Sequence, residues 1–188
     1  MMPADILEYI MPHSSRPMTI EELADELGFA DLAELAKRLQ VMEAKGEIVK
    51  NRKGRYGLPR RMNLRVGRIQ GSPKGYAFLI PDDPKEQDVY IYGEDLNGAM
   101  HNDRVIVQLF KHLADGRKRE GQVIRILKRA NELVVGTFEG GRAFGFVVPD
   151  DKRLGHDIFI PAEAKGNARE HDKVVAEITR WPEPRRNP

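Results

Sequence analysis

The sequence contains no cysteine among its 188 residues, so it can form no disulfide and offers no thiolate as a nucleophile or metal ligand. No apolar run approaches the roughly 20 residues that a membrane-spanning helix requires. The start of the chain, MMPADILEYIMPHSS, has neither a basic leader nor a long apolar stretch. A share of 40% apolar residues is ordinary for a globular protein. Together with the two preceding absences, it predicts a soluble, cytoplasmic protein without membrane association, which we expect to be a monomer.

Catalytic signatures are absent as well. The histidines occupy only positions 13, 101, 112, 156 and 171. Their spacing matches no metal site, and the chain has neither a glycine-rich phosphate loop nor a nucleophile motif. Paired carboxylates, Asp82–Asp83 and Asp150–Asp151, can bind Mg²⁺, but each pair follows an apolar segment, where a turn is the simpler interpretation. We therefore predict no catalytic residue, no metal site and no cofactor in these residues.

The net charge of +2 conceals an uneven distribution. Residues 61–130 carry 13 lysines and arginines against 9 acidic residues, whereas the flanking regions are each close to neutral. A local basic excess can bind a polyanion such as nucleic acid. The middle of the chain is therefore the first candidate for such a surface.

One unit of sequence occurs twice, at an offset of 68 or 69 residues. The matching pairs are VGRIQGSPKGYAFLIPDD (66–83) with VGTFEGGRAFGFVVPDD (135–151), DVYIY (88–92) with DIFIP (157–161), and NDRVIVQL (102–109) with HDKVVAEI (171–178). The same order of segments in both copies predicts two domains of the same fold.

Each unit consists of short segments rich in Val, Ile, Phe and Tyr that are separated by Gly, Pro, Asp and Asn, a pattern typical of β-strands and turns. In the first unit we predict strands near 65–70, 76–80, 88–92, 104–110 and 120–127. Five such strands in about 65 residues suit a small closed barrel of the OB type. The counterpart of the last strand would begin near position 189, so we expect the second barrel to lack that strand and the chain to be part of a longer protein.

The N-terminal third has a helical pattern instead. We predict a first helix near 4–11, and helices that begin at the capping boxes Thr19/Glu22 and Asp31/Glu34 and end at Gly28 and Gly46. The segment EIVKNRKGRYGL then reads as a hairpin. Three helices and a basic hairpin are typical of a winged helix, whose Lys50, Arg52, Lys53 and Arg55 either contact phosphates or form a solvated turn.

The predicted fold is thus an α+β multidomain chain. A winged helix-turn-helix domain covers 1–58, a basic linker 59–65, a first OB domain 66–130 and a second, C-terminally truncated OB domain 131–188. Five-stranded barrels of this kind bind oligonucleotides on one face.

Two rings stand on each of two neighbouring strands of the first unit: Tyr76 with Phe78, and Tyr90 with Tyr92. Because side chains alternate along a strand, all four lie outside the barrel if the aliphatic residues between them fill it. For a strand considered by itself, the alternative also holds, in which the rings form the core and the aliphatic residues face outward. Recurrence of the pattern at Phe144, Phe146 and Phe159 favours outward rings, on which the bases of single-stranded nucleic acid can stack.

Basic residues accompany these rings and could hold phosphates. They are Lys74 and Arg68 beside the first set, the cluster Arg117, Lys118 and Arg119 before the last strand, and Arg142 beside the second set. Together with the seven aromatic residues, they are the predicted RNA-binding residues.

KGYAFL followed by DVYIY resembles the cold-shock family, in which an RNP1-like strand precedes an RNP2-like strand, with Tyr92 here in place of the usual histidine. The order excludes an RRM, which needs two helices and has its other aromatic strand first. AFGFVV and DIFIP are more distant versions of the same pair of motifs.

The whole arrangement resembles the N-terminal region of the ribonuclease R family, bacterial 3′→5′ exoribonucleases of the ribonuclease II superfamily. VGRIQGSPKGYAFLIPDD, NDRVIV, GRKREGQVIRIL and HDIFIP carry the resemblance. It implies capture and threading of single-stranded or structured RNA here, and hydrolysis in a separate Mg²⁺-dependent domain. The partner of the winged helix is either nucleic acid or another protein. The alternatives are a winged-helix regulator that reads duplex DNA and a stand-alone RNA chaperone.

Overall fold

A computed structural model describes residues 6–10, 16–111 and 119–183. The chain divides into two compact units, Met1–Val66 and Gly67–Pro188. No helix in the described ranges has the length and apolar character needed to cross a membrane.

In the first unit, α1 covers the described residues 6–10. The two helices that follow, α2 (Ile20–Leu27) and α3 (Leu32–Lys45), begin and end where local signals predict. Thr19 and Glu22 form a complete capping box, in which each side chain accepts a hydrogen bond from the backbone N–H of the other residue. Both helices end at a glycine in the left-handed conformation, Gly28 with φ 67° and Gly46 with φ 76°.

Asp31 caps α3 by accepting hydrogen bonds from the N–H groups of Ala33 and Glu34, at 2.9 and 3.2 Å. The Glu34 carboxylate accepts from Arg38 Nε at 2.9 Å one turn further on. The cap is therefore confirmed, while the Glu34 side chain bonds forward along the helix.

The predicted hairpin is also present, as β1 (Val49–Lys50) paired with β2 (Tyr56–Gly57). The side chain of Asn51 accepts from the N–H groups of Lys53 and Arg55, which fixes the turn. Helices and hairpin share one core, which contains Ile6, Ile10, Leu23, Leu35, Leu39, Met42, Ile48 and Tyr56.

In the second unit, five strands form a closed barrel with the order β3-β4-β5-β7-β6. They are β3 (Leu64–Gly71), β4 (Ala77–Pro81), β5 (Val89–Ile91), β6 (Arg104–Leu109) and β7 (Arg119–Lys128). β5 and β7 pair in parallel, and the other described neighbours pair antiparallel. All five predicted strands are confirmed to within about two residues.

The repeat forms a four-stranded sheet with the order β10-β9-β8-β11. Its strands are β8 (Leu133–Gly140), β9 (Phe144–Pro149), β10 (Ile158–Pro161) and β11 (Lys173–Glu177). Among the residues described, no strand lies in the position that β7 has in the first barrel, in agreement with the prediction. A cleft of about 620 Å³ separates β10 from β11 instead.

The two cores differ by a compensating exchange at one pair of positions. Ile69 and Ala77 are fully buried in the first barrel, and Phe138 and Gly145 occupy the matching places in the second. A Cβ on Gly145 would lie 2.4 Å from the Phe138 ring. The Phe138 ring, which is larger than the Ile69 side chain, therefore requires a glycine where the first barrel has Ala77.

The Asp pairs predicted to lie in turns do so. Asp83 accepts from the N–H of Lys85 at 2.9 Å, and Asp151 accepts from that of Arg153 at 3.1 Å. Their neighbours form ion pairs with equivalent cations of the two repeats: Asp82 with Arg104 and Asp150 with Lys173. Each acidic pair therefore has a structural role in its turn.

A buried polar cluster, here called the polar joint, connects the two β domains. Asp103 is fully buried and accepts hydrogen bonds from the N–H groups of Met100 and Ala130 and from Arg129 Nη1, at 2.9, 2.9 and 3.0 Å. The Arg129 guanidinium lies 4.6 Å from the centre of the Trp181 ring. Met100 packs in the core of the second domain, so the joint reaches into both.

His101 lies at the same joint and is 3% exposed. Its Nδ1 accepts a hydrogen bond from the N–H of Gly71 at 3.0 Å, so this nitrogen carries no proton. Burial lowers the pKa of the imidazole. Four charged groups also act on it: Arg153 and Arg68 lower that pKa further, and Asp151 and Asp103 raise it.

Acid should therefore destabilise this unit through His101. Its pKa is lower in the folded than in the unfolded state, so stability falls as the pH drops below about 6.5 and continues to fall toward the folded pKa. Thermal unfolding at several pH values between about 7.5 and 5.5 measures the slope of stability against pH. We expect a shallower slope for His101→Asn, which retains an acceptor, than for the original chain. Equal slopes in the variant and the original chain would contradict the assignment.

Candidate nucleic-acid interface

The rings of the first barrel point out of it, as predicted. Ala77, Leu79, Val89 and Ile91, which alternate with the rings along β4 and β5, are completely buried. The ring of Tyr92 is 44% exposed. The three other rings are half-buried because they pack against one another.

Tyr76, Phe78, Tyr90 and Tyr92 form one continuous group, here called the first ring cluster. Tyr90 is its centre, with ring centroids 5.4, 5.5 and 4.8 Å from those of Tyr76, Phe78 and Tyr92. The Tyr76 ring is nearly parallel to it, at 28°, while the other two meet it edge to face. Mutual packing fixes the orientation of the rings before any ligand binds, which reduces the entropic cost of binding.

The strand register explains why these residues meet. Phe78 lies directly opposite Tyr90, and Gln70 lies opposite Phe78 on the other side. Side chains at opposed positions of neighbouring strands stand on the same face, about 5 Å apart at Cβ. The cluster therefore results from two features: side chains alternate between the two faces along β4 and β5, and the register of these strands places Phe78 opposite Tyr90.

A second ring cluster, Phe144, Phe146 and Phe159, stands on the equivalent face of the repeat. Its rings are 53%, 36% and 44% exposed, with centroids 5.6 to 6.2 Å apart. Pro161 lies opposite Phe144, at the place that corresponds to Tyr92. The second cluster is therefore smaller and has no phenolic hydroxyl.

Of the basic residues predicted to hold phosphates, Lys74 and Arg142 are exposed in the turns that precede the two ring sets. Arg68 is exposed on β3 and donates from Nη1 to Asn102 Oδ1 at 2.8 Å. This partner is a neutral amide, so the bond does not compensate the positive charge of Arg68. All three therefore present a cation beside or near aromatic rings.

The cluster at 117–119 differs from this expectation. Arg119 forms an ion pair with Glu86, whose side chain is only 6% exposed. The charge of Arg119 is thus compensated by a carboxylate 33 residues away, a partner that no local sequence signal predicts. Arg117 and Lys118 lie outside the described residues.

Sequence reasoning missed one acidic residue at the first ring cluster. Glu120 lies beside Tyr90 in the parallel pairing of β5 and β7, and its Oε1 accepts a hydrogen bond from the Tyr92 hydroxyl at 3.2 Å. This bond raises the pKa of Tyr92, so the phenol remains a neutral donor. No local signal could reveal it, because the contact depends on barrel closure between strands 28 residues apart.

No group of three His, Cys, Asp or Glu side chains capable of holding a metal occurs within residues 6–10, 16–111 and 119–183. The features concentrated on the outer face of the β domains are instead flat rings with flanking charges. Such a surface can stack on planar groups and attract anions.

Comparison with protein families agrees with the domain types that the fold defines. Residues 67–126 match the Ribonuclease B OB domain, and residues 146–188 match the Cold shock domain. The second unit therefore contains two β domains of the OB type.

Several curated relatives of this chain are called ribonuclease R. The chain is 35% identical to that of Thermotoga maritima over 193 residues, covering 98% of this chain and 26% of the relative. It is 36% identical to that of Escherichia coli over 181 residues, covering 93% of this chain and 22% of the relative. The chain thus spans about a quarter of the length of these two curated relatives.

Solved structures show the same fold. Yeast Ssd1, described as a pseudonuclease, superposes with a TM-score of 0.53 at 22% identity, over 65% of this chain and 21% of that one. Mycoplasma genitalium RNase R, in complex with ribose-methylated single-stranded RNA, superposes with a TM-score of 0.53 at 24% identity, over 61% and 18%.

Proposed function

We propose that this chain binds single-stranded RNA on the outer face of its β domains, as a module of a ribonuclease R-like exoribonuclease. One observation carries the proposal: the four rings of the first ring cluster lie on the outer face of the barrel, partly exposed to solvent, above a fully buried aliphatic core. Exposed rings packed in this way are costly unless a partner covers them. Single-stranded nucleic acid provides such a partner because every base has a flat face.

The relatives support the remainder of the proposal. Sequence similarity to ribonuclease R extends over nearly the whole chain, and the Mycoplasma relative was solved with single-stranded RNA. We propose that the chain captures RNA and threads it toward a Mg²⁺-dependent 3′→5′ hydrolytic domain outside these residues, in the cytoplasm. A pseudonuclease with the same fold indicates that the β domains by themselves do not determine catalysis.

Phosphate contacts should be few, because Lys74, Arg68 and Arg142 are the described candidates whose charge faces solvent. We therefore expect RNA affinity to fall as salt rises, with a slope of about −0.7 for each phosphate neutralised on a single strand. Fluorescence anisotropy at several salt concentrations measures that slope. Affinity independent of salt would exclude the proposed phosphate contacts.

A second candidate function belongs to the N-terminal unit, which we propose is a winged helix that contacts nucleic acid or another protein. The outward face of α3 carries Lys37 and the 51%-exposed Val41. Arg38 and Arg55, however, are paired with Glu34 and Glu22, both at 2.9 Å. Compensated arginines favour a protein partner over duplex DNA.

Competition between an RNA single strand and a DNA duplex of equal length separates these functions. We expect the single strand to displace a labelled RNA at a concentration at least about tenfold lower than the duplex, because stacking requires unpaired bases. Preferential displacement by the duplex would favour the regulator and contradict the proposed function.

A further inference from the structure

The first ring cluster lies in a row that crosses the sheet. The register gives this row as Gln70 on β3, Phe78 on β4, Tyr90 on β5 and Glu120 on β7. All four side chains share the outer face, so polar groups flank the rings on both sides. A base stacked on Phe78 or Tyr90 would therefore have polar groups at its edges.

Charge is distributed unevenly along that row. Arg68 on β3 and Lys74 in the turn between β3 and β4 are exposed on one side. Glu120 lies on the other side. Burial raises the pKa of Asp95 there, and the negative charges of Glu94 and Glu120 raise it further. A sugar–phosphate backbone is attracted to the basic side and repelled from the acidic side. Base edges would then point toward Glu120.

The carboxylate of Glu120 is held in a defined position. Its Oε1 accepts the hydrogen bond from Tyr92, and the residue stands beside Tyr90 at the centre of the cluster. A carboxylate is an acceptor only, and its two oxygens fit two adjacent donors in a bidentate arrangement. Among RNA bases, only guanine presents two adjacent N–H donors, at N1 and N2. Uracil presents a single N–H between two carbonyl oxygens, which a carboxylate repels.

We propose that Glu120 determines base specificity at the first ring cluster by accepting hydrogen bonds from the N1–H and N2–H groups of a stacked guanine. The proposal rests on the proposed function, since it requires RNA on this face. In this arrangement, stacking on the rings provides the affinity for RNA, and the Glu120 carboxylate provides the preference for one base.

The test compares three single-stranded octamers: uridines only, uridines with one central guanosine, and the same with inosine, which lacks the N2 amino group. The intact chain should bind the guanosine octamer about tenfold more tightly than the uridine octamer, with inosine between them. Glu120→Gln retains an acceptor for Tyr92 but loses the charge and the second acceptor. We expect this variant to bring the guanosine-to-uridine ratio to within about twofold of one.

Glu94→Gln is the control, because it removes the same charge nearby and should leave the ratio unchanged. The proposal is overturned if the intact chain does not distinguish the octamers, or if Glu120→Gln tightens binding of all three equally, which would show repulsion alone. Failure of the proposed function gives a distinct result: either no octamer binds, or the octamers bind equally well after Tyr76 and Phe78 are replaced by alanine.

Discussion

Replacing Tyr76 and Phe78 together by alanine should weaken binding of single-stranded RNA by about 30-fold or more. Each base stacked on an aromatic ring contributes roughly 1–3 kcal/mol, so two lost platforms cost at least about 2 kcal/mol. The loss also removes two of the three rings that hold Tyr90 in place. Fluorescence anisotropy with a labelled single strand measures the change directly.

The control for this double variant is Ile124→Ala, which shortens a side chain of the same barrel that is 47% exposed. It changes exposed apolar area without removing a ring, so RNA affinity should remain within about twofold. Thermal unfolding verifies that both proteins are folded. If the double variant is folded and binds as tightly as the original chain, the rings do not form the platform.

Asp103→Ala should lower the free energy of unfolding of the second unit by about 3 kcal/mol or more. The carboxylate is fully buried and accepts from two backbone N–H groups and from Arg129, so truncation leaves all three donors without it. Removing one member of a buried ion pair typically costs 3–5 kcal/mol. Urea denaturation measured on the β-sheet circular dichroism signal reports the loss.

The repeat provides a matched control at Asp172, which occupies the same position in the second domain. Asp172 is exposed, and its side chain accepts from the N–H of Arg169 at 2.8 Å. Its replacement by alanine should cost about 1 kcal/mol, in the range of a single exposed cap. Similar losses for the two variants would show that the polar joint contributes no more than an ordinary turn.

The ring clusters and most strands could be predicted because the signals are local. Side-chain alternation with a period of two assigns Tyr76 and Phe78 to one face and Ala77 to the other without any tertiary information. The internal repeat strengthened this interpretation by showing the same alternation at Phe144 and Phe146. Helix ends were equally local, since Thr19 and Gly28 act on their own turn.

Partners distant in sequence could not be predicted in the same way. The ion pair between Arg119 and Glu86 and the contact between Tyr92 and Glu120 arise only when β7 closes the barrel beside β5. Charge counting treated Arg119 as an available cation, whereas the fold compensates it. Sequence composition indicated where a binding surface lies, but the distribution of charge across that surface depends on closure.

The most direct test of the central claim is isotope-filtered NMR of the labelled chain with a short unlabelled RNA single strand. We predict intermolecular NOEs between base protons and the ring protons of Tyr76, Phe78 and Tyr90, since stacked rings and bases lie well within NOE range. NOEs from the bases to α3 or the β1–β2 hairpin, with none to these rings, would contradict the account.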